Sequence, residues 1–357
     1  MKSGKPTIKD IAREAGVSHA TVSLVFSGKK RISAKTRETV LAVAQRMHYV
    51  PNLGAISLRR GESRLIGFIV NDIANPVYGK MAQVAEAIAQ AQGYQLLIAD
   101  HQWNPTAELA AIQKMISFRA RGLLWCGTEQ SQESLDLLNY PNGPAVIALD
   151  NCRRNYRGAF VGFDVRNTGA IAARHLLQNG ARNPVLFTAS RNLKTLSSFL
   201  DLREGFLAAL KSAGLDGLEE RIIHSGLTPE EGYRAFHQLQ KPRAPRVDAI
   251  LAINDLCAFG ILGAADELGI KIGHDLALMG IGNHPISKIP RISLTSIAQS
   301  PEQITQTAMD ELFTCIAEKR SPTLRLHFPG ELIVRESSRL SHRKSTMPQK
   351  SATLARD

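Results

Sequence analysis

From Leu65 onward, short runs of apolar residues alternate with segments in which apolar residues recur at helical spacing. Strands are predicted over 65–70, 94–100, 122–126, 145–150, 185–189, 248–255 and 276–282, and helices over 82–91, 109–118, 167–178 and 204–211. Repetition of strand, helix and strand over this length predicts parallel sheets flanked by helices. Ligands bind at the carboxyl ends of the strands in such sheets, and several of these predicted strands end in Asn or Asp.

Length and composition limit the classes of protein that this chain can form. Its 357 residues are enough for two or three domains, and an apolar content of 44% allows a substantial core. No apolar run reaches the length of a membrane span, and the basic N-terminus lacks the apolar segment of a signal peptide, so we expect a cytoplasmic protein with no membrane partner. The four cysteines form no CxxC pair, which favours reduced thiols over disulfides or a metal site.

The positive charge of the chain is concentrated at its two ends. Residues 1–64 carry a net charge of +9 and residues 339–357 a net charge of +4, whereas residues 65–338 carry −1. A basic module on a nearly neutral body is typical of proteins that bind nucleic acid. The polar tail over 339–357 has no leucine heptad, and we expect it to be disordered and basic, with a role in solubility.

Helix signals near the N-terminus predict a helix-turn-helix domain over residues 1–50. Thr7 and Asp10 have the spacing of a capping box at the start of a first helix. Ser18 is a suitable N-cap for a second helix, and Ser33 for a third. The second and third helices are predicted over 19–26 and 34–47.

The second of these helices is predicted to enter the major groove of double-stranded DNA. Its first residues, His19, Ala20 and Thr21, would then meet base edges, since imidazole nitrogens pair with polar base atoms and a methyl group suits the thymine methyl. Ser23 and the helix N-termini would hold phosphates. A generic three-helix domain with no DNA role is the alternative, and the charge of the segment argues against it.

The segment over 7–52 resembles the DNA-binding domain of the lactose/galactose repressor family of bacterial transcription regulators. It has the sequence TIKDIAREAGVSHATVSLVFSGKKRISAKTRETVLAVAQRMHYVPN. Leu24 stands where many members of that family carry an Arg that contacts guanine, so the resemblance implies an operator that differs from the commonest site. The predicted DNA-binding residues are Thr7, Ser18, His19, Ala20, Thr21, Ser23, Leu24, Lys29, Arg31, Asn52, Ala55 and Leu58.

The short basic segment over 51–61 is predicted to be a weak helix, because so few residues do not form a stable helix alone. It resembles the hinge helix of that family, which folds when two copies meet over the central minor groove of the operator. The resemblance makes Leu58 the apolar wedge that inserts between base steps. A plain linker is the alternative.

The resemblance continues over 62–338, in segments such as IGFIVNDIANPVYGKM and AILAINDLCAFGIL. It implies a fold with a small all-α helix-turn-helix domain and an α/β, two-lobed, periplasmic-binding-protein-like domain with parallel sheets. The chain would cross between the lobes three times, with a sugar or related small-molecule effector between them and dimerisation through this domain. Asn75, Asp150, Asp164, Asn254 and Asp255 match effector-binding positions, and Arg203 lies one residue from the position of the usual Arg clamp.

Two departures from the family pattern bear on the effector. Leu202 occupies the position of the Arg clamp, and Gly282 replaces the usual Asp after the last strand of its lobe. One hypothesis is a homodimeric repressor regulated by an atypical, less polar effector. A second is a repressor that needs no effector and uses the body only as a dimerisation scaffold. A solute-binding protein or an enzyme is a third, but no complete catalytic motif is present, so we expect no enzyme activity, no cofactor and no metal.

Overall fold

The computed structural model describes residues 5–26, 32–50, 63–128, 132–139, 143–150, 156–190, 197–240 and 247–340. The predicted hinge helix over 51–61, and with it Asn52, Ala55 and Leu58, lies outside these residues. Lys29, Arg31 and the tail beyond residue 340 also lie outside them.

The N-terminal domain consists of three helices around a small core. They are α1 (Ile8–Glu14), α2 (His19–Phe26) and α3 (Ala34–Arg46). The predicted capping box is present, with the Asp10 backbone N–H donating to the Thr7 hydroxyl and the Thr7 backbone N–H donating to Asp10. Gly16 makes the turn between α1 and α2 at a φ of +64°, a conformation that costs other residues energy. The buried core is formed by Ile11, Ala12, Val22, Val25, Val40, Val43 and Ala44.

The larger part of the chain alternates between strands and helices. The strands are β1 (Leu65–Val70), β2 (Gln95–Asp100), β3 (Gly122–Trp125), β4 (Ala145–Leu149), β5 (Ala159–Phe163), β6 (Pro184–Thr188), β7 (Ile222–His224), β8 (Ala249–Ala252), β9 (Ala277–Ile281), β10 (Thr295–Ala298), β11 (Arg325–Phe328) and β12 (Glu331–Ile333). The helices are α4 (Pro76–Ala91), α5 (Pro105–Ser117), α6 (Gln132–Leu138), α7 (Val165–Gln178), α8 (Ser197–Ser212), α9 (Pro229–Leu239), α10 (Asp255–Glu267) and α11 (Pro301–Glu318). No helix in the described part of the chain is both long and apolar enough to cross a membrane.

These elements form two lobes, each built on one six-stranded sheet. The sheet of the first lobe has the order β11-β5-β4-β3-β1-β2, and that of the second lobe β12-β10-β9-β8-β6-β7. The strand pairs are parallel except β10 with β12, which fits the predicted α/β class. Because β11 belongs to the first lobe and β12 to the second, the chain crosses between the lobes three times, as expected from the resemblance.

The crossing segments are joined to one another by hydrogen bonds and close packing. Asp164, at the first crossing, donates its backbone N–H to the Phe328 carbonyl at the third crossing, at 2.7 Å. At the third crossing Gly330 lies so close to Ile297 that a Cβ there would meet its Cγ2 at 2.5 Å. These contacts place the connections between the lobes side by side, which is the arrangement of a hinge.

Candidate functional site

A cavity of about 820 Å³ lies between the lobes, at the carboxyl ends of strands from both sheets. Asp72 and Asp150 line it from the first lobe, and Asn254, Asp255 and Gly282 from the second. This volume falls within the usual range of small-molecule sites, roughly 300–1,000 Å³. The position of the cavity is the one that parallel α/β sheets predict.

Asp150 contributes a half-buried carboxylate from the first lobe. It follows β4 at a φ of +57°, and its Oδ2 accepts a hydrogen bond of 2.8 Å from the Tyr78 hydroxyl. The Asn71 amide in turn donates to the Tyr78 oxygen at 3.0 Å. Burial raises the pKa of Asp150 to about 6, against the opposing effect of the Tyr78 hydrogen bond, because removal from water disfavours the charged form.

Asp255 is held by groups of its own lobe. Its Oδ2 accepts hydrogen bonds from the His284 backbone N–H at 2.6 Å and the Ser287 hydroxyl at 2.7 Å. Its Oδ1 accepts one from the Ser296 hydroxyl at 2.7 Å. Burial raises the pKa of Asp255, and these hydrogen bonds oppose that shift. A carboxylate with three internal donors fixes the segment over 282–287, which follows β9 and borders the cavity.

The segment over 282–287 is fixed at further points. Asn283 donates its backbone N–H to the Ser296 hydroxyl at 2.9 Å, and its side-chain oxygen accepts from Arg335 at 2.7 Å. Gly282 has a φ of +115°, a region that side-chain-bearing residues rarely occupy. The Asp expected there from the family pattern would therefore be strained in this backbone conformation.

The two predicted asparagines combine a place at the cavity with a capping role. The Asn75 side-chain oxygen accepts from the Val77 backbone N–H at 3.1 Å and caps α4. The Asn254 oxygen accepts from the Cys257 backbone N–H at 2.7 Å, and its amide donates to the Leu227 carbonyl at 3.0 Å. Both the side-chain oxygen and the amide group of Asn254 therefore form hydrogen bonds within its own lobe.

Two predicted effector residues, Asp164 and Arg203, are not among the residues that line the cavity. Asp164 caps α7, where its Oδ1 accepts from the Asn167 backbone N–H at 3.0 Å. Arg203 forms an ion pair with Glu219 on the other side of α8. The cavity side of that helix is taken by Leu202, because consecutive residues of a helix point about 100° apart.

An aromatic wall and one histidine at the cavity were missed by the sequence reasoning. Trp103 follows β2 and Phe199 lies in the first turn of α8, and their rings contact each other with centroids 5.6 Å apart. His284 follows β9 and also lines the cavity. The positions of Trp103 and His284 just after strands are a signal that could have found them, whereas Phe199 belongs to a helical turn that was not predicted.

The first turn of α2 presents polar and small side chains at the surface of the N-terminal domain. The Ser18 hydroxyl accepts from the Thr21 backbone N–H at 3.0 Å, so Ser18 caps the helix as predicted. Ala20 is exposed, while His19, Thr21 and Ser23 are half-buried and Val22 faces the core. The structure thus brings these predicted DNA-binding residues together on one short helix. Leu24 lies one turn further along it, and Thr7 is exposed but engaged in the capping box of α1.

Two family models match the chain. The model for bacterial regulatory proteins of the lacI family matches residues 7–52. The model for a periplasmic binding protein-like domain matches residues 173–338. The first match covers the helix-turn-helix domain, and the second covers most of the second lobe together with its connections to the first.

Curated relatives and solved structures match nearly the whole chain. The HTH-type transcriptional repressor PurR of Yersinia enterocolitica is 29% identical over 335 residues, which are 93% of this chain and 96% of that protein. PurR of Erwinia tasmaniensis is 28% identical over 334 residues, with the same coverage. The lac repressor dimer bound to operator and the anti-inducer ONPF has a TM-score of 0.81 at 22% identity, covering 94% of this chain and 100% of that one. A complex of the transcriptional regulator CelR with cellobiose has a TM-score of 0.69 at 22% identity, covering 93% and 99%.

Proposed function

Because the chain belongs to the lacI family of bacterial regulatory proteins, we propose that it represses transcription by binding a palindromic operator as a homodimer. A small molecule held between the lobes modulates that binding. Paired helix-turn-helix domains read the two halves of a palindrome, and a dimeric body holds two weak DNA contacts at a high effective concentration. Light scattering that gives the mass of two chains is the expected result, whereas a stable monomer would contradict the dimer.

The observation that supports DNA binding best is the geometry of α2. Its N-terminal turn, with Ser18, His19 and Ala20, lies at the surface of a three-helix unit whose core is complete. A helix with this exposure fits the major groove, where side chains of its first turns reach base edges. The net charge of +9 over residues 1–64 supplies attraction to phosphates, which is independent of sequence and weakens with salt.

Selection from a random DNA library tests this role. We expect a palindromic site to be enriched, and His19→Ala to weaken binding to it by about 1–3 kcal/mol while relaxing preference at one base pair in each half. Arg13→Ala is the matched control, since Arg13 is an exposed residue at the far end of α1 and its loss should affect all sequences alike. Equal binding of every sequence by the wild type would contradict a sequence-specific regulator.

The proposal of an effector is supported by the size and position of the cavity. We expect one compound class in a panel of sugars, sugar phosphates, nucleosides and bases to stabilise the full-length protein. A compound at 100 times its Kd adds about 2.7 kcal/mol to the free energy of unfolding, which corresponds to a rise in Tm of several degrees at roughly 2–4 °C per kcal/mol.

A repressor that needs no effector is a second candidate, favoured by the apolar side chain of Leu202 and by the commitment of Asp255 to its own lobe. In that case the body serves as a dimerisation scaffold. The absence of any Tm shift across the panel, together with intact operator binding, is the result that this candidate predicts.

A further inference from the structure

We propose that the cavity between the lobes binds an uncharged ligand in which a hydroxyl-bearing group is joined to an apolar ring. Asp150 accepts from a hydroxyl group, His284 donates to an oxygen, and the ring packs on the wall formed by Trp103, Phe199 and Leu202. This inference rests on the proposed function and specifies the ligand for its effector site.

Asp150 provides a hydrogen-bond acceptor on the first-lobe side of the cavity. The carboxylate already accepts one hydrogen bond from Tyr78, and an ionised carboxylate has about four lone-pair sites, so it can accept from a ligand hydroxyl as well. A phosphate or carboxylate group at the same place would be repelled, since like charges interact strongly where water is scarce. Close to Asp150 the cavity therefore favours donors over anions, while Lys80, which also lines this side, is paired with Glu302 at 3.6 Å.

His284 supplies a donor from the second lobe. The Ile286 backbone N–H donates to His284 Nδ1 at 3.1 Å, so in the neutral ring the proton is on Nε2. The ring also contacts Phe259 edge-on, with centroids 5.5 Å apart and planes at 83°, which restrains its orientation. No residue in the described part of the chain accepts from Nε2, and His284 is one of the residues that line the cavity.

Asp255 acts in this site as a positioning residue. Its three hydrogen bonds hold the backbone of His284 and the hydroxyls of Ser287 and Ser296, which fixes the segment that carries the imidazole. A donor held in place before binding loses little entropy when the ligand arrives. In this proposal Asp255, which also lines the cavity, acts on the ligand through the position of His284.

The wall between the two polar groups is aromatic and apolar. The rings of Trp103 and Phe199 touch across the cleft, so a ligand ring packs against the pair rather than between them. Leu202 is 2% exposed and continues this surface at the position where a cationic clamp was expected. An apolar ring gains from contact with such a surface, whereas an anionic group there would lose its hydration without a partner.

Two pairs of compounds test this ligand class on the full-length protein, with binding measured by calorimetry and by Tm. Adenosine and 2-nitrophenyl β-D-galactoside are uncharged, and each carries sugar hydroxyls and a flat aromatic ring whose faces can pack on the apolar wall. Adenosine 5′-monophosphate adds a charge to the first, and D-galactose removes the ring from the second. We expect at least one uncharged ring-bearing compound to bind, about tenfold or more tightly than its counterpart, which is a difference of about 1.4 kcal/mol or more.

Two variants of His284 separate hydrogen bonding to the ligand from capping of the segment. His284→Gln keeps a donor near the position of Nε2 and loses the Nδ1 acceptor, while His284→Asn keeps an acceptor near Nδ1 and loses the Nε2 donor. We expect the Gln variant to retain most of the affinity for the compound that binds and the Asn variant to lose about tenfold or more. The opposite order, with equal Tm values for the unliganded variants, would show that His284 only caps the segment and would overturn its role.

Failure of this inference is distinguishable from failure of the proposed function. If none of the four compounds binds, or if the phosphate or the free sugar binds as tightly as its partner, the ligand class is overturned. Operator selection with the same preparation, run without ligand and with each of the four compounds, measures sequence-specific DNA binding and so reports on the repressor function separately from the affinity for the compounds.

Discussion

At the scale of single residues, Asp150 is a carboxylate at the cavity whose negative charge opposes stability. Its folded-state pKa is raised to about 6 from 3.8 by burial, so the folded state holds a proton that the unfolded state has lost between these values. Stability contributed by this proton is present in full below pH 3.8 and is lost as the pH rises through 6. Asp150→Asn replaces the ionisable carboxyl by a neutral amide, so the variant does not lose this stability as the pH rises. Asn also tolerates the positive φ at this position.

We therefore expect the free energy of unfolding of Asp150→Asn at pH 7.5 to exceed that of the wild type by about 1–3 kcal/mol, and this difference to vanish near pH 4. Urea unfolding at the two pH values measures it. Asp275→Asn is the control of opposite sign, because a backbone hydrogen bond from Lys271 lowers the pKa of Asp275 and its charged form supports the fold. A wild type that is more stable than the Asp150 variant at pH 7.5 would contradict the cost assigned to this carboxylate. The same variant should weaken binding of any ligand that donates to Asp150.

Sequence reasoning could place residues at the cavity but not decide what their atoms do. The resemblance to the family implied that Asn75, Asp150, Asn254 and Asp255 line the cavity, and all four do so. Hydrogen bonds from Ser287 and Ser296 to Asp255 join residues 32 and 41 positions apart, and local pattern carries no signal for them. That these residues bind an effector stays a prediction.

At the scale of elements, packing of α9 on α10 depends on glycines that let the helices approach. In α10, a Cβ at Gly260 would overlap the carbonyl oxygen of Pro229, whereas a Cβ at Gly263 would meet nothing within 4 Å. We expect Gly260→Ala to lower the free energy of unfolding by about 1–3 kcal/mol, since relief requires the helices to move apart. Gly263→Ala should raise it by about 0.5–1 kcal/mol, because alanine restricts the unfolded chain and favours the helix.

Denaturant unfolding of both variants beside the wild type measures this contrast, and the shared helix makes each variant the control for the other. Equal effects of the two substitutions would contradict the close approach of α9 and α10. The operator affinity of the Gly263 variant should be unchanged, since this position touches neither the cavity nor the N-terminal domain.

The elements that the sequence predicted are those with strong local patterns. Strands β1, β3, β4, β6, β8 and β9 are apolar runs inside their sheets, whereas β2 is a partly exposed strand at the edge of the first sheet. All seven were expected from the sequence pattern. Strands β7, β11 and β12 lie at sheet edges, are short and are partly exposed, so they lack such a run. β11 pairs with β5 across about 165 residues of chain, a contact that depends on the three crossings rather than on local preference.

At the scale of the whole molecule, the three crossings lie between two separate sheets, which is the arrangement about which two domains hinge. The cavity lies between the lobes, so a ligand that contacts Asp150 on one side and His284 on the other favours one orientation over others. A ligand shifts such an equilibrium only by its difference in affinity for the two states. If operator binding favours one of the same orientations, the two sites are thermodynamically coupled.

This coupling gives a prediction with two independent measurements. For the compound that raises Tm most, we expect operator affinity to change by roughly 5–150-fold when the compound is bound, a coupling free energy of about 1–3 kcal/mol. Thermodynamic linkage requires operator DNA to change the affinity for the compound by the same factor, which calorimetry in the presence and absence of DNA measures. Asp150→Asn is the matched control, because it alters the cavity and leaves the DNA-binding helix intact. Its operator affinity should equal that of the wild type without the compound, and addition of the compound should not change it. If the compound binds but leaves the operator affinity of the wild type unchanged, the cavity is not coupled to DNA binding and the body serves only as a scaffold.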